Sequence, residues 1–349
     1  MKAERMRRRI VLAGFGNVGR EFARLLLENR SELTREFGLD ASIVAILTAR
    51  HGSVENRAGI DLRKALRLAD AGVSLESCGR GIRERSPEFI RRARADVVIE
   101  VTPLRIAPRQ VAYDHVLAAL RTGKHVITAN KGPVVYHYRQ LRELARKNHV
   151  GFRYEGTVMD GAPVFNLFQE ALRGARVESF EGILNSTTNL VLSEIEAGHT
   201  YAHGVEAARR IGFLEADPSM DLDGWDATVK ACLLANVLMD GRVRPERVPR
   251  QGVSSLAPKA VRDALADGKR LKQIARGWRD GRTAKASVSI EAIGSDDPLF
   301  SVNGTSSSLL VRTNMLRELQ IIERDPALRQ TAFAVYSDLI AIHEGRLSP

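Results

Sequence analysis

The chain has 349 residues, more than one hydrophobic core usually holds, so two domains are the starting expectation. Its formal net charge is +11, yet the arginines are scattered along the chain and aromatic residues make up only 5%, too few for stacking on nucleic-acid bases, so a nucleic-acid binder is excluded. The two cysteines, Cys78 and Cys232, stand far apart and outside any CxxC spacing, which rules out a disulfide framework and a zinc cluster built on thiols.

At the N-terminus, MKAERMRRR runs into a short apolar stretch that ends in glycines, so no signal peptide is expected. No apolar run reaches the roughly 18 residues of a membrane helix. A cytoplasmic protein without membrane partners is expected. Ile10 to Ala13 read as a strand, Gly14-Phe15-Gly16-Asn17-Val18-Gly19 as a tight turn, and Phe22, Leu25 and Leu26 as the apolar stripe of a helix. GxGxxG in that context matches the dinucleotide fingerprint. Its glycines permit the turn and the approach of a pyrophosphate, and the helix start supplies partial positive charge.

The runs SIVAILTAR, DVVIEVTPL and KHVITAN alternate with helical patterns, which predicts a parallel sheet of the Rossmann type. The second strand ends in Thr48-Ala49-Arg50-His51, where an NAD site places an acid, so Arg50 predicts a preference for the 2′-phosphate of NADP, with NAD as the alternative. Lys131 follows the strand KHVIT, at the carboxyl end where ligands gather in such sheets.

Beyond Gly151 the pattern becomes amphipathic: FRYEGTV, VESFEGIL, KASVSIEAIG, SSLLVRT and LRELQIIE predict strands of a second sheet, and helices are expected at 163–173, 187–197, 201–211, 223–239 and 258–279. The α/β fold class thus pairs a nucleotide-binding domain at 1–150 with an α+β domain at 151–325. A last helix at 326–349 should return to the first domain. In HTYAH, His199 and His203 are four apart, but no glutamate follows His199 and glycines flank the segment, which argues against a zinc-binding helix.

The stretch GFLEADPSMDLDGWDATVK carries Glu215, Asp217, Asp221, Asp223 and Asp226 with a single lysine, Lys230. Asp223 suits an N-cap, Asp226 the first turn of a helix, and Lys230 the same face four residues on. The apolar turns that follow draw the helix into a core and leave Lys230 partly desolvated at its edge. There a lysine can exchange protons.

In order, GFGNVG, VIEVTP, GKHVITANK, YEGTVMDGAPV, GILNSTTN and GFLEADPSMDLDGWDATVK resemble the motif series of homoserine dehydrogenases, over most of the chain to about residue 240. The resemblance implies a nucleotide-binding domain, a mixed-sheet domain that binds substrate and dimerises, and NAD(P)-dependent interconversion of L-homoserine and L-aspartate 4-semialdehyde. Lys230 matches the family's proton donor and acceptor. Lys131 matches a cofactor and substrate contact, Thr102 and Pro103 match cofactor contacts, and Glu215, Asp226 and Asp221 match acidic substrate-site residues. Glu155, Val158, Asp160 and Ala162 match a monovalent-cation site made mainly of backbone carbonyls and suited to sodium. A homodimer is implied, and no further amino-acid-sensing domain is expected.

Two departures stand out. Ser186 replaces a common family glycine, and Glu323-Arg-Asp-Pro-Ala-Leu-Arg-Gln330 replaces a glycine-rich turn over the cofactor. Asp325-Pro326 reads as an N-cap and N1 pair, sealing the last helix with a carboxylate that would repel a pyrophosphate. That departure leaves room for a catalytically impaired relative acting as a nucleotide sensor, or for a shifted substrate.

Overall fold

The structure is a computed structural model that describes residues 5–212, 218–254 and 256–347. The chain divides into two compact units, residues 1–170 with 327–349, and residues 171–326.

The first unit opens with β1 (Met6–Ala13), whose arginines stay toward water while Ile10 to Ala13 are fully buried. It continues through α1 (Asn17–Glu28), α2 (Arg30–Glu36), β2 (Leu39–Leu47), β3 (Val54–Glu55), α3 (Leu62–Asp70), β4 (Arg80–Gly81) and α4 (Ser86–Arg92). Then come β5 (Val97–Glu100), α5 (Val111–Arg121), β6 (His125–Thr128), α6 (Lys131–Lys147), β7 (Phe152–Arg153) and α7 (Val164–Asn166). Among the described residues the strands form one sheet in the order β4-β3-β2-β1-β5-β6-β7, parallel from β2 to β7 and antiparallel at β3 and β4. Near-continuous apolar runs suit these strands, because helices cover both faces of a parallel sheet. Strand order reverses between β1 and β5, and ligands of such sheets bind at that switch point. Two-residue β7, from the FRYEGTV stretch expected in the second sheet, instead pairs with β6 and extends the first, so the unit continues past the expected boundary at 150 to Glu170.

In the second unit, β8 (Val177–Ile183), α8 (Ser186–Glu196), α9 (Tyr201–Arg210), α10 (Ser219–Leu222), α11 (Trp225–Leu238) and α12 (Pro258–Ala266) precede β9 (Arg270–Asp280), β10 (Thr283–Ile293), β11 (Ser307–Thr313) and β12 (Leu319–Glu323). The sheet order is β10-β9-β8-β11-β12. Neighbouring strands pair antiparallel, and among the described residues the mixed character rests on one parallel bridge from Arg250 to Val288 at the β10 edge. The last helix, α13 (Leu328–His343), belongs to the first unit, where Ala332, Val335, Leu339 and Ile342 share a core with Phe22 and Leu26 of α1.

The helix expected at 258–279 ends after Ala266, and β9 takes its second half. Central β9 carries buried Lys272 and Gln273, whose polarity hides the strand pattern in the sequence. Gln273 donates to Gln251 O at 3.0 Å, so its burial leaves its amide satisfied.

Two capping expectations also change. The N-cap of α11 is Gly224, at φ 79°, and Asp223 instead accepts from Ser254 Oγ at 2.5 Å. The N-cap of α13 is Ala327, whose amide donates to Gln330 Oε1 at 3.0 Å. Asp325 adopts φ 43°, a left-handed conformation that short polar side chains tolerate, and its carboxylate accepts from Thr305 Oγ1 and Ser306 Oγ at 3.1 and 3.3 Å. The predicted carboxylate seal on the last helix is therefore absent, because two hydroxyls hold Asp325 instead.

Candidate active site

The first group of site residues lies at the switch point of the parallel sheet. Gly14 turns the chain out of β1 at φ 102°, and a Cβ on it would lie 2.5 Å from Val101 O and 2.8 Å from Thr102 N. A Cβ on Gly19 would lie 2.3 Å from Gly14 O. Both positions therefore require glycine for packing. Gly16 differs: a Cβ there meets nothing within 4 Å, and as N-cap of α1 it leaves the helix start without a side-chain cap. Open space beside uncapped helix N–H groups is what a pyrophosphate needs. The residues present fit a dinucleotide on this observation, with Phe15 in the turn and Asn17 and Val18 opening α1.

Beside that turn, Thr102 is fixed by a buried carboxylate, itself held by a buried imidazole, and no sequence motif marks either as a site residue. Glu100, fully buried at the end of β5, accepts from Thr102 N at 2.8 Å and from Thr102 Oγ1. His115 Nδ1 donates to its other oxygen, and Ser86 Oγ hydrogen-bonds His115 Nε2 at 2.6 Å. Asn130 donates to Thr102 O at 3.0 Å and caps α6 by accepting from Gly132 N at 3.1 Å. Lys131 is thus the first residue of α6, next to the side chain that tethers Thr102. Arg50 sits past the end of β2, exposed, with its amide donating to Thr48 Oγ1 at 3.2 Å.

The expected cation residues lie after β7. The Glu155 carboxylate, 4% exposed, accepts from Phe165 N at 2.8 Å and Asn166 N at 2.7 Å, while Asp160 accepts from Thr331 Oγ1 at 2.7 Å at φ 39°. Ala162 N donates to Met159 O at 2.7 Å, which folds the segment from Val158 to Ala162 into a turn. Burial, with the neighbouring Asp338 carboxylate second, raises Glu155 to about 8. Asp338 is raised by burial to about 6, against the pull of Arg153 3.5 Å away. Arg153, itself 2% exposed, also pairs with Glu170 and donates to Asn166 Oδ1 at 2.8 Å and to Arg346 O.

The second group is in the other unit, where β8 gives way to α8. Lys230 Nζ donates to Leu184 O at 2.6 Å and pairs with Asp226 at 3.1 Å, both side chains 13% exposed. Asn185 ties the cluster together. Its Nδ2 donates to Asp221 at 2.6 Å and Asp226 at 3.0 Å, while its Oδ1 caps α8 by accepting from Thr188 N at 2.8 Å. Gly224 makes the spacing work, since its left-handed turn between α10 and α11 brings Asp221 and Asp226 to the same asparagine. The NSTTN motif was the available signal for Asn185. Glu215 lies outside the described residues.

Taken unit by unit, the fold and these groups are those of a dinucleotide-binding oxidoreductase: a dinucleotide turn at a sheet's switch point, and a half-buried lysine held by a carboxylate and a backbone carbonyl. The sequence matches the model of the homoserine dehydrogenase family over residues 163–340 and that of the homoserine dehydrogenase NAD-binding domain over residues 14–155. It is 35% identical to the NAD(+)-dependent homoserine dehydrogenase of Pseudomonas canavaninivorans, covering 96% of both chains. Among solved structures, the putative homoserine dehydrogenase of Archaeoglobus fulgidus aligns at TM-score 0.84 and 30% identity, over 96% of this chain and 99% of that one. A hyperthermophilic archaeal homoserine dehydrogenase in complex with NADPH aligns at 0.79 and 27%, over 97% and 98%. The chain belongs to the homoserine dehydrogenase family. It is an NAD(P)-binding oxidoreductase, and the sensor alternative finds no support in these similarities. No described helix is long and apolar enough to cross a membrane.

Proposed function

We propose that this chain interconverts L-homoserine and L-aspartate 4-semialdehyde with Lys230 as the proton donor and acceptor. The observation that carries the reading is the Lys230 amine, held by Leu184 O and Asp226 on a side chain that keeps 13% of its surface open. Bound NAD(P) supplies or accepts the hydride. As the aldehyde is reduced, Lys230 gives a proton to the oxygen that gains negative charge, and its charge stabilises that oxygen. In the oxidative direction the neutral amine takes the hydroxyl proton, and with an intrinsic lysine pKa of about 10.4 alkaline pH favours that direction. Glu215, Asp221 and Asp226 hold the substrate's α-ammonium, and Lys131 contacts cofactor and substrate.

The test is NADPH oxidation with aspartate 4-semialdehyde. Lys230→Met is expected to lower kcat by about 10²–10⁴-fold, the usual contribution of general acid–base catalysis. NADPH affinity, followed by fluorescence, should stay near that of the parent chain. A variant within a few-fold of the parent rate ends the assignment.

The same reading assigns NADP as the preferred cofactor, because Arg50 is exposed at the end of β2 where the sequence offers no acid. Removing a hydrogen bond to a charged group costs about 1.5–3 kcal/mol, so Arg50→Ala is expected to lower kcat/KM for NADP by about 10–100-fold and to leave that for NAD nearly unchanged. Equal losses with both cofactors would discard this role. For sodium, the backbone carbonyls of Glu155, Val158, Asp160 and Ala162 are the proposed donors, on family likeness. A cytoplasmic homodimer, with residues 151–325 binding substrate and dimerising, completes the reading on family likeness.

A further inference from the structure

We infer that Glu194, His199 and His203 form a binding site for a borderline transition-metal ion, Zn²⁺ foremost, unrelated to the dehydrogenase chemistry. Their ligand atoms, one per side chain, all lie within 4.8 Å of one another. Glu194 Oε2 is 2.6 Å from His199 Nδ1 and 3.4 Å from His203 Nε2, and the two imidazoles stack with centroids 4.2 Å apart and planes inclined by 30°. A tetrahedral zinc with bonds of about 2.0–2.1 Å spaces its ligands about 3.3 Å apart, so small rotations of the two exposed imidazoles about the partly buried Glu194 complete the set.

The frame that presents these ligands is fixed. Glu194 belongs to α8, where neighbouring Val191, Leu192 and Ile195 are buried in a core with Tyr201 and Val205 of α9. Gly204 lets the two helices touch, a Cβ there falling 3.1 Å from Val191 Cα. The His199 amide donates to Glu194 O at 3.0 Å, and Thr200 caps α9 by accepting from His203 N at 3.2 Å, which puts His203 in the first turn of that helix. The objection to HTYAH as a zinc-binding helix therefore stands, since the segment is a helix junction. The third ligand comes from upstream, out of the preceding helix.

The donor set selects the ion. Two imidazoles and one carboxylate suit zinc, nickel, cobalt or copper, whereas magnesium and calcium require oxygen shells. One carboxylate against a divalent charge, with three protein ligands half-open to solvent, leaves a coordination position for water.

The full chain, stripped with EDTA and dialysed, would be titrated calorimetrically with Zn²⁺, and with Co²⁺ by visible absorption. The expected result is saturable binding of about one ion per chain, with a cobalt spectrum indicating nitrogen ligation. Glu194→Gln and His199→Asn should each weaken it by at least about tenfold, since even outer-shell changes cost about 10–100-fold in metal affinity. His199→Asn with His203→Asn should abolish it. These side chains are partly exposed, so metal-free melting should hardly change, and dehydrogenase activity should match the parent. Zinc should raise the parent's Tm and leave the double variant's unmoved. No saturable binding by the parent chain, or parent-like affinity in either Glu194→Gln or the double variant, overturns the site.

Discussion

Two clusters of buried charge, one in each unit, use similar residues to opposite ends. Around Arg153, the guanidinium is 2% exposed and Asp338 1%, and the cation is spent on Glu170, Asp338, Asn166 and the Arg346 carbonyl. These partners come from residues up to 193 positions apart, so the cluster ties the end of the chain to the sheet's last strand. Around Lys230, the cation and Asp226 each keep 13% of their side-chain surface, and the pair spans one helical turn. A closed cluster serves architecture, because a buried charge must be fully partnered to be tolerated. A cluster with an open side can also meet a ligand. The amount of surface left open, more than the kind of residue, separates the two.

Substitutions on the two sides should therefore fail in different currencies. The largest effect is the loss of rate with Lys230→Met, and the comparison adds that its stability should fall by less than that of Arg153→Met, because Lys230 and Asp226 each keep 13% of their side-chain surface in contact with water. Urea unfolding followed by circular dichroism reads this, and a collapse in stability would erase the contrast. Arg153→Met should do the reverse. Removing one partner of a buried pair leaves uncompensated charge on Asp338 and costs about 3–5 kcal/mol. A variant as stable as the parent would mean that the closed cluster contributes nothing to folding.

Lys272 extends the comparison to a buried cation whose hydrogen bonds, among the described residues, go to neutral acceptors, with the Glu196 carboxylate acting on it only at longer range. Its Nζ donates to Val302 O at 2.8 Å, Asn303 Oδ1 at 3.0 Å and Asn189 Oδ1 at 3.2 Å, and burial lowers its pKa to about 8. Below that pH the amine is charged in both the folded and the unfolded chain, and the full cost of burying the charge is present. Between about 8 and the unfolded value near 10.4 the folded state loses its proton first, so stability gains with rising pH. Unfolding free energies of the parent minus those of Lys272→Met should thus rise by roughly 1–3 kcal/mol from pH 7.5 to 10.5. A flat difference would show that this lysine is not the titrating group.

How far the sequence could be read follows the same division between local and distant partners. The glycine turn, Lys131 and the Asp226–Lys230 pair were legible because each is set by spacing within one strand, turn or helix. The Arg153 cluster was not, since Arg153 and the Arg346 carbonyl are 193 positions apart and only folding brings them together. Strand β9 was lost for a related reason: Lys272 and Gln273 interrupt its apolar run, and the hydrogen bonds that make them acceptable inside come from other segments. Asp325 was misjudged because Asp-Pro is an ordinary helix start, whereas the hydroxyls of Thr305 and Ser306 compete for its carboxylate.

Asn185 gives the smallest effect and the finest test, because one side chain serves both architecture and site. Its oxygen caps α8, and its nitrogen holds Asp221 and Asp226. Asn185→Ala removes both functions and should cost about 1 kcal/mol from the cap alone. Asn185→Asp keeps an oxygen for Thr188 N but turns the donor into a third carboxylate facing two others. It should retain the capping contribution while like-charge repulsion spreads Asp221 and Asp226, raising KM for the amino-acid substrate more than it lowers Tm. Parallel measurement of Tm and of KM for aspartate 4-semialdehyde decides the matter. If both variants lose stability and leave KM alone, Asn185 is only a helix cap, and the cluster at Lys230 is organised by something other than its amide.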